Sequence, residues 1–205
     1  MLDLNFENAY VTYSEKYLPN DQADQIFALV SELFINEENK MIYDNMDQPM
    51  YKLNRKTIVF VDPSVDKNIV PKIWGKNVTV LEFPQELLVI KEDLQSKLNF
   101  EFNICLANYY VSGKNTIGWH SDNEEKGSTS CIASISVGAE REFAFRKLSS
   151  KEICHKLVLH NGSLIVMGNG CQENYQHRLL QDKNCKIPRL NLTFRLFDND
   201  RYKNY

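Results

Sequence analysis

His120 and Asp122 stand two residues apart in the segment Asn108-Tyr-Tyr-Val-Ser-Gly-Lys-Asn-Thr-Ile-Gly-Trp-His-Ser-Asp-Asn-Glu124. In an extended chain, residues i and i+2 point to the same face. An imidazole and a carboxylate would then project side by side. Those are two of the three ligands of a 2-His-1-carboxylate site, which holds non-heme Fe(II) and leaves positions open for a co-substrate and O2. A surface turn accounts equally for a lone His-x-Asp pair, so the pair takes its meaning from what flanks it.

Downstream, Arg189-Leu-Asn-Leu-Thr-Phe-Arg195 alternates without a break. Arg189, Asn191, Thr193 and Arg195 share one face; Leu190, Leu192, Phe194 and Leu196 share the other. An edge strand with a wet outer face reads this way. Two arginines with an amide and a hydroxyl between them also make a receptor for a small dianion, because Arg meets a carboxylate as a planar fork. Six residues of strand span roughly 20 Å at ~3.3 Å per residue, so both arginines reach one ligand only if their side chains converge. Of the four histidines, three remain for the third ligand position. His155 and His160 have no acid at ligand spacing, and the residues alone leave His160 and His177 open.

These pieces resemble the AlkB family of Fe(II)- and 2-oxoglutarate-dependent dioxygenases, which oxidatively dealkylate nucleic-acid bases. The matching residues are Asn108-x-Tyr110, His120-x-Asp122, the distal His177 and Arg189-x-Asn191-x-Thr193-x-Arg195, with Ile132 to Arg146 similar to the strand pair after the metal motif. The resemblance covers residues 100–197, close to half the chain. It implies a double-stranded β-helix (jelly-roll) core, with iron on His120, Asp122 and His177. It implies 2-oxoglutarate bound by Asn108, Tyr110, Arg189, Asn191, Thr193 and Arg195, without saying which arginine takes which carboxylate. Fe(II) is the implied cofactor; 2-oxoglutarate and O2 are the co-substrates.

The same resemblance implies demethylation of bases such as 1-methyladenine and 3-methylcytosine in DNA or RNA. A nucleotide-recognition lid would grip the flipped base. Arg55, with Lys52 and Lys56, falls in the lid region and is a phosphate-contact candidate; a solvated hairpin face reads the same way. Trp74 is the one aromatic in Pro71-Lys-Ile-Trp-Gly75, where the family carries base-stacking rings, and it reads either as that platform or as packing. Glu124 falls where the family places an acid near the base, suited to cationic lesions, or it is a solvated loop residue. Trp119 must face away from His120 and reads as packing.

Composition sets limits. A chain of 205 residues, 43% hydrophobic and 25% charged, suits one domain with a substantial core. No apolar run reaches the ~18 residues of a membrane helix, and the first residues lack a secretory pattern. Five cysteines without C-x-x-C form neither a disulfide framework nor a zinc pattern, so reduced thiols in an intracellular protein, nuclear or cytoplasmic, are expected. Cys105, Cys131 and Cys171 read as core or turn residues. The net charge of −3 hides an asymmetry: residues 1–50 hold ten acids and two bases, residues 51–205 seventeen acids and twenty-two bases. A protein gripping nucleic acid mainly through backbone charge is normally basic overall, so contact should be local. The expected partner is DNA or RNA bearing alkylated bases, with no membrane, and the chain acting as a monomer.

The elements that must position the site follow from periodicity. Residues 1–18 read as irregular. Pro19-Asn-Asp21 opens a helix with Ile26, Leu29, Val30 and Leu33 as its stripe, and Glu37 to Asp47 reads as a loop. Met50 to Asp62 is extended. Pro84 takes the first position of a second helix, with Leu87, Ile90, Leu94 and Leu98 buried and Asn99 ending it. Strands are expected at 102–111, 131–137, 142–146, 153–159, 162–168 and 189–197. Helices followed by a run of strands make an α+β fold rather than a parallel α/β sheet. The expectation is one dioxygenase domain over 1–205, with N-terminal helices and substrate lid in 1–99 and the catalytic jelly roll in 100–198. Two rival readings have the same fold: an oxygenase that hydroxylates or demethylates a protein side chain, and a catalytically silent binding module.

Overall fold

The computed structural model describes residues 1–43, 48–75, 77–122 and 129–198. Among them the strands are β1 (Leu2–Asp3), β2 (Val11–Ser14), β3 (Met41–Tyr43), β4 (Pro49–Lys52), β5 (Lys56–Val61), β6 (Thr79–Glu82), β7 (Ile104–Tyr110), β8 (Ile117–His120), β9 (Ile132–Gly138), β10 (Arg141–Lys147), β11 (Ile153–Leu159), β12 (Ser163–Met167), β13 (Tyr175–Leu179) and β14 (Arg189–Arg195). The helices are α1 (Asn20–Glu32), α2 (Val70–Trp74), α3 (Gln85–Leu98) and α4 (Cys171–Asn174). The large sheet runs β1-β2-β12-β9-β14-β7-β5-β6, the small sheet runs β11-β10-β13-β8, and β3 pairs with β4.

The two main sheets face each other. Tyr110, Ile132, Ile165 and Met167 from the large sheet cluster with Phe145, Leu159 and Leu179 from the small one. The other face of the large sheet is covered by α1 and α3, whose Ile26, Val30, Leu87, Ile90 and Leu94 pack on Leu190, Leu192 and Phe194. This is a jelly roll with helices on one outer face. The alternation of β14 now has a definite meaning. β14 lies between β7 and β9, so it is a central strand and not a wet edge. Its apolar side chains meet the helices; Arg189, Asn191, Thr193 and Arg195 face the space between the sheets.

Several boundaries differ from the sequence expectations. Residues 1–18 are not wholly irregular: β2 pairs with β12 and extends the large sheet. Part of the expected loop at 37–47 is β3, and its last residues lie outside the described part. Strands β8 and β13 carry no long apolar run, yet they complete the small sheet. Among the described residues the large sheet also contains a parallel pair, β5 with β6. In α1 the stripe holds through Val30. The helix then ends at Glu32, so Phe34 turns inward and Leu33 is left exposed. Pro84 is the cap residue of α3 rather than its first helical residue, and Asn99 ends that helix in the left-handed conformation at φ 48°. Leu98 is partly buried. All five cysteines are free, with Cys105 and Cys171 buried and Cys131 half-buried. No helix of the described residues is long and apolar enough to cross a membrane.

The turn from β9 to β10 depends on Gly138, whose φ is +85°. A Cβ there would stand 2.7 Å from both the Phe27 ring and the Pro188 carbonyl oxygen. Gly138→Ala combines left-handed strain with this crowding, and a loss of about 1–3 kcal/mol is expected. Urea unfolding should show a lower midpoint with an unchanged slope.

Candidate active site

His120 closes β8 and His177 sits in the middle of β13; the two are paired across the ladder. Cross-strand partners lie close enough for side chains to touch, and the two imidazole centroids are 4.3 Å apart. Asp122, two residues beyond His120, turns its carboxylate to both. Its Oδ1 is 3.7 Å from His120 Nε2 and its Oδ2 is 3.7 Å from His177 Nε2. One donor atom from each residue falls within 4.8 Å of the other two. His160, the other candidate for third ligand, lies elsewhere and pairs with Glu140 at 3.0 Å. His155 is half-buried in β11, 5.7 Å from the Phe6 ring.

The protonation states suit a cation. His120 Nδ1 is 2.8 Å from the Gly118 carbonyl oxygen. A carbonyl only accepts, so Nδ1 carries the proton and Nε2 presents a lone pair towards Asp122, as in metal-ligating histidines whose other nitrogen is anchored. Burial pushes His177 down to about 3, so it is neutral at ordinary pH. Burial alone would raise the Asp122 carboxyl. The Arg195 guanidinium beside it overcomes that and holds it well below the usual carboxylate range. Two imidazoles and one carboxylate on one side of a cavity fit a divalent iron.

The cavity has a volume of about 140 Å³ and is lined by these three residues and by the polar face of β14. Arg195 lies at the metal end, 3.2 Å from Asp122 Oδ1. Arg189 lies at the other. It is 2% exposed, its guanidinium carbon is 5.3 Å from the Tyr110 ring centroid, and it donates to Ser136 Oγ at 2.7 Å. Burial lowers it to about 10, with Tyr110 opposing and Arg141 adding to the shift, so it stays charged. Its Nε has no hydrogen-bond partner, and among the described residues no carboxylate pairs with it. A buried cation without a counter-charge is costly. A small dianion spanning from Arg189 to the metal would relieve that cost.

Asn108 and Asn191 face each other across the ladder. The Asn191 amide donates to Ser134 Oγ at 2.7 Å and to the Ile135 carbonyl at 3.1 Å, while Thr193 donates to Asn191 Oδ1 at 3.4 Å. These two form a braced wall of the cavity. Asn108 Oδ1 accepts from Arg55 Nε at 2.6 Å and from Thr57 at 3.2 Å. Arg55 therefore points into the cavity rather than outward. Lys56 instead donates to the Phe34 carbonyl at 3.0 Å, tying β5 to the end of α1, whereas Lys52 is exposed. Trp74 both packs and lines the site: its ring is 5.9 Å from Phe197, it borders the cavity, and its buried indole N–H has no partner. Glu124 lies outside the described residues.

Three supporting residues carry little or no local signal in the sequence. Gln172 of α4 is fully buried and accepts the backbone N–H of Asp122 at 2.8 Å. Phe143 stacks along His177, with centroids 5.5 Å apart. Ser136 anchors Arg189; the alternation of Ser134 and Ser136 within apolar β9 was its one visible sign.

The family described as the 2OG-Fe(II) oxygenase superfamily matches residues 10–195, and the chain belongs to it. Fe(II), 2-oxoglutarate and O2 are the cofactor and co-substrates of that family. Within it the sequence is similar to proteins of the AlkB type. It is 36% identical over 118 residues to alpha-ketoglutarate-dependent dioxygenase alkB homolog 3 of Bos taurus, covering 53% of this chain and 41% of that protein. It is also 36% identical over 133 residues to the DNA oxidative demethylase ALKBH2 of Homo sapiens, covering 61% of this chain and 48% of that one. The matches thus span less than half the length of these relatives. Among solved structures, that of OsALKBH1 superposes with a TM-score of 0.61 at 19% identity, over 90% of this chain and 97% of the other. A Trichoplax adhaerens prolyl hydroxylase in complex with a hypoxia inducible factor peptide gives 0.60 at 10% identity, over 93% and 84%. At such identities these two show a shared fold.

Gln172 offers a direct test of how the site is held. Gln172→Ala should weaken Fe(II) binding by about 10- to 100-fold, the usual effect of removing a group that orients a ligand. Anaerobic metal titration would read this, with the fold checked by circular dichroism.

Proposed function

We propose that this chain is an Fe(II)- and 2-oxoglutarate-dependent dioxygenase that removes alkyl groups from nucleic-acid bases such as 1-methyladenine and 3-methylcytosine in DNA or RNA. One arrangement carries the reading: His120, Asp122 and His177 at one end of a cavity, and Arg189, a buried cation without an anion among the described residues, at the other. His120, Asp122 and His177 would hold the iron on one face. Arg195, beside Asp122, would meet the keto-acid end of 2-oxoglutarate, and Arg189 with Tyr110 its far carboxylate. Asn108, Asn191 and Thr193 would fix the walls between them. Bound Fe(II), with O2 and 2-oxoglutarate, supplies the oxidation; the products are succinate, CO2, formaldehyde and the restored base.

The remaining work falls to the chain. A base must leave its stack to enter the cavity, which favours single strands and flipped bases. Arg55 and Trp74 border the space it would occupy, and the Trp74 ring and free N–H suit a base face and edge. Residues 1–99 would supply the helices and a lid over the base, and residues 100–198 the catalytic core, as one domain.

The test is a mass-spectrometric assay with Fe(II), ascorbate and 2-oxoglutarate under air. Single- and double-stranded DNA and RNA oligomers would each carry one 1-methyladenine or 3-methylcytosine. Loss of one methylene mass, dependent on 2-oxoglutarate, is expected. Succinate without that loss would move the substrate to another class, with peptides the first to try; neither product would leave a silent binding module. For the dianion site, Arg189→Gln should raise the KM for 2-oxoglutarate about 10- to 100-fold, as for charged hydrogen bonds worth ~1.5–3 kcal/mol, with Fe(II) affinity retained.

A further inference from the structure

The small sheet carries a second basic feature, on the face turned away from the metal. Successive strand residues point to opposite faces. His177 and Arg178 therefore diverge in β13, as do His120 and Trp119 in β8. Ala144 of β10 pairs with Lys156 on one side and Arg178 on the other, which makes a rung across the outside of the sheet. Trp119 lies beyond Arg178 on the edge strand. Arg146, on the same face of β10, reaches across β13. Its Nε and Nη2 donate to Gln176 Oε1 at 2.9 and 2.6 Å, and its guanidinium carbon comes to 4.6 Å from the Trp119 ring centroid. That of Arg178 lies 5.1 Å from the same centroid.

Two guanidinium groups thus share one indole. Among the described residues, neither they nor Lys156 form an ion pair with an acid. Glu142, the acid on this face of β10, is exposed and forms no ion pair with them. Each cation–π contact holds its arginine in place, but the two like charges repel. An anion bound to both would relieve that repulsion, and a guanidinium laid flat on a ring still has N–H groups free to bind phosphate.

The position also matters. Trp119 backs directly onto the residue that carries the first imidazole, and the His120 side chain is 29% exposed. Among the described residues the metal end of the cavity is thus partly exposed beside the edge strand β8. A base inside it would leave the neighbouring phosphates of its own strand at that edge, with the cationic rung just around it. The chain as a whole carries a charge of −3, so attraction for a polyanion must come from a local patch of this kind.

We propose that Trp119, Arg146, Arg178 and Lys156 form a docking surface for the phosphodiester backbone flanking the target base, with the indole as a fixed platform. This rests on the reading of the cavity as a base site. The experiment measures binding of a fluorescent single-stranded DNA oligomer to the full chain by anisotropy, over a range of salt. Arg178→Glu/Lys156→Glu should bind about tenfold more weakly near 0.1 M salt, because two phosphate contacts are lost and repulsion is added. The slope of log affinity against log salt should fall by about 1.4, at ~0.7 per phosphate on a single strand. A control with equal charge change on the helical side, Lys16→Glu/Lys97→Glu, should change the affinity and slope far less. Retained 2-oxoglutarate binding reports an intact cavity. An unchanged slope in the first variant, or an equal loss in the control, would overturn the surface while leaving base dealkylation standing. A wild-type chain that neither binds nucleic acid nor demethylates it would overturn the base reading itself, and the docking surface with it.

Discussion

Asp122 keeps a negative charge where the protein leaves almost no water. Burial opposes that charge, and the Arg195 guanidinium restores it. A carboxylate so placed is stable only while its partners stay within a few ångströms, because an uncompensated buried charge costs several kcal/mol. The register of β13 against β8, the path of the chain beyond His120 and the position of β14 are all tied to this one group. Gln172 holds its backbone, and Ser121 donates to the Tyr175 carbonyl at 2.8 Å beside it. The site is thus braced from α4, from β13 and from the large sheet at once.

The large sheet extends the same logic to the other end of the cavity. β14 is held on both sides by antiparallel neighbours, so its four polar residues stay in one row facing inward. Arg195 has the Asp122 carboxylate beside it; Arg189 has no carboxylate among the described residues. The asymmetry along one strand gives the cavity a direction, with a metal end and an anion end. Arg141, also fully buried, supports the rim of the anion end by donating to the carbonyls of Ser112, Gly113, Asn115 and Leu180.

The chemistry was more legible in the sequence than its supports. His-x-Asp and the alternating Arg-x-Asn-x-Thr-x-Arg are local patterns, and the structure brings both to one cavity. The choice between His160 and His177 was not local: it depends on a ladder pairing between strands more than fifty residues apart, and only the family resemblance selected His177. β8 and β13 are short and mostly polar, so periodicity had little to work on. Lys56 looked like Arg55 in the sequence, but one faces the end of α1 and the other the cavity. That difference follows from the alternation of β5, whose pairing partners no local reading supplies. Trp119 read as packing, and does pack, but against two cations rather than an apolar surface.

The central claim is that one cavity binds a metal on His120, Asp122 and His177 and a dianion that reaches from it to Arg189. Anaerobic calorimetric titration of the wild-type chain and of Asp122→Ala, first with Fe(II) and then with 2-oxoglutarate, tests it most directly. The account predicts one Fe(II) per wild-type chain, tighter 2-oxoglutarate binding once the metal is present, and loss of both effects in Asp122→Ala with the fold retained. Equal Fe(II) affinity in the two proteins, or 2-oxoglutarate binding indifferent to the metal, would contradict it.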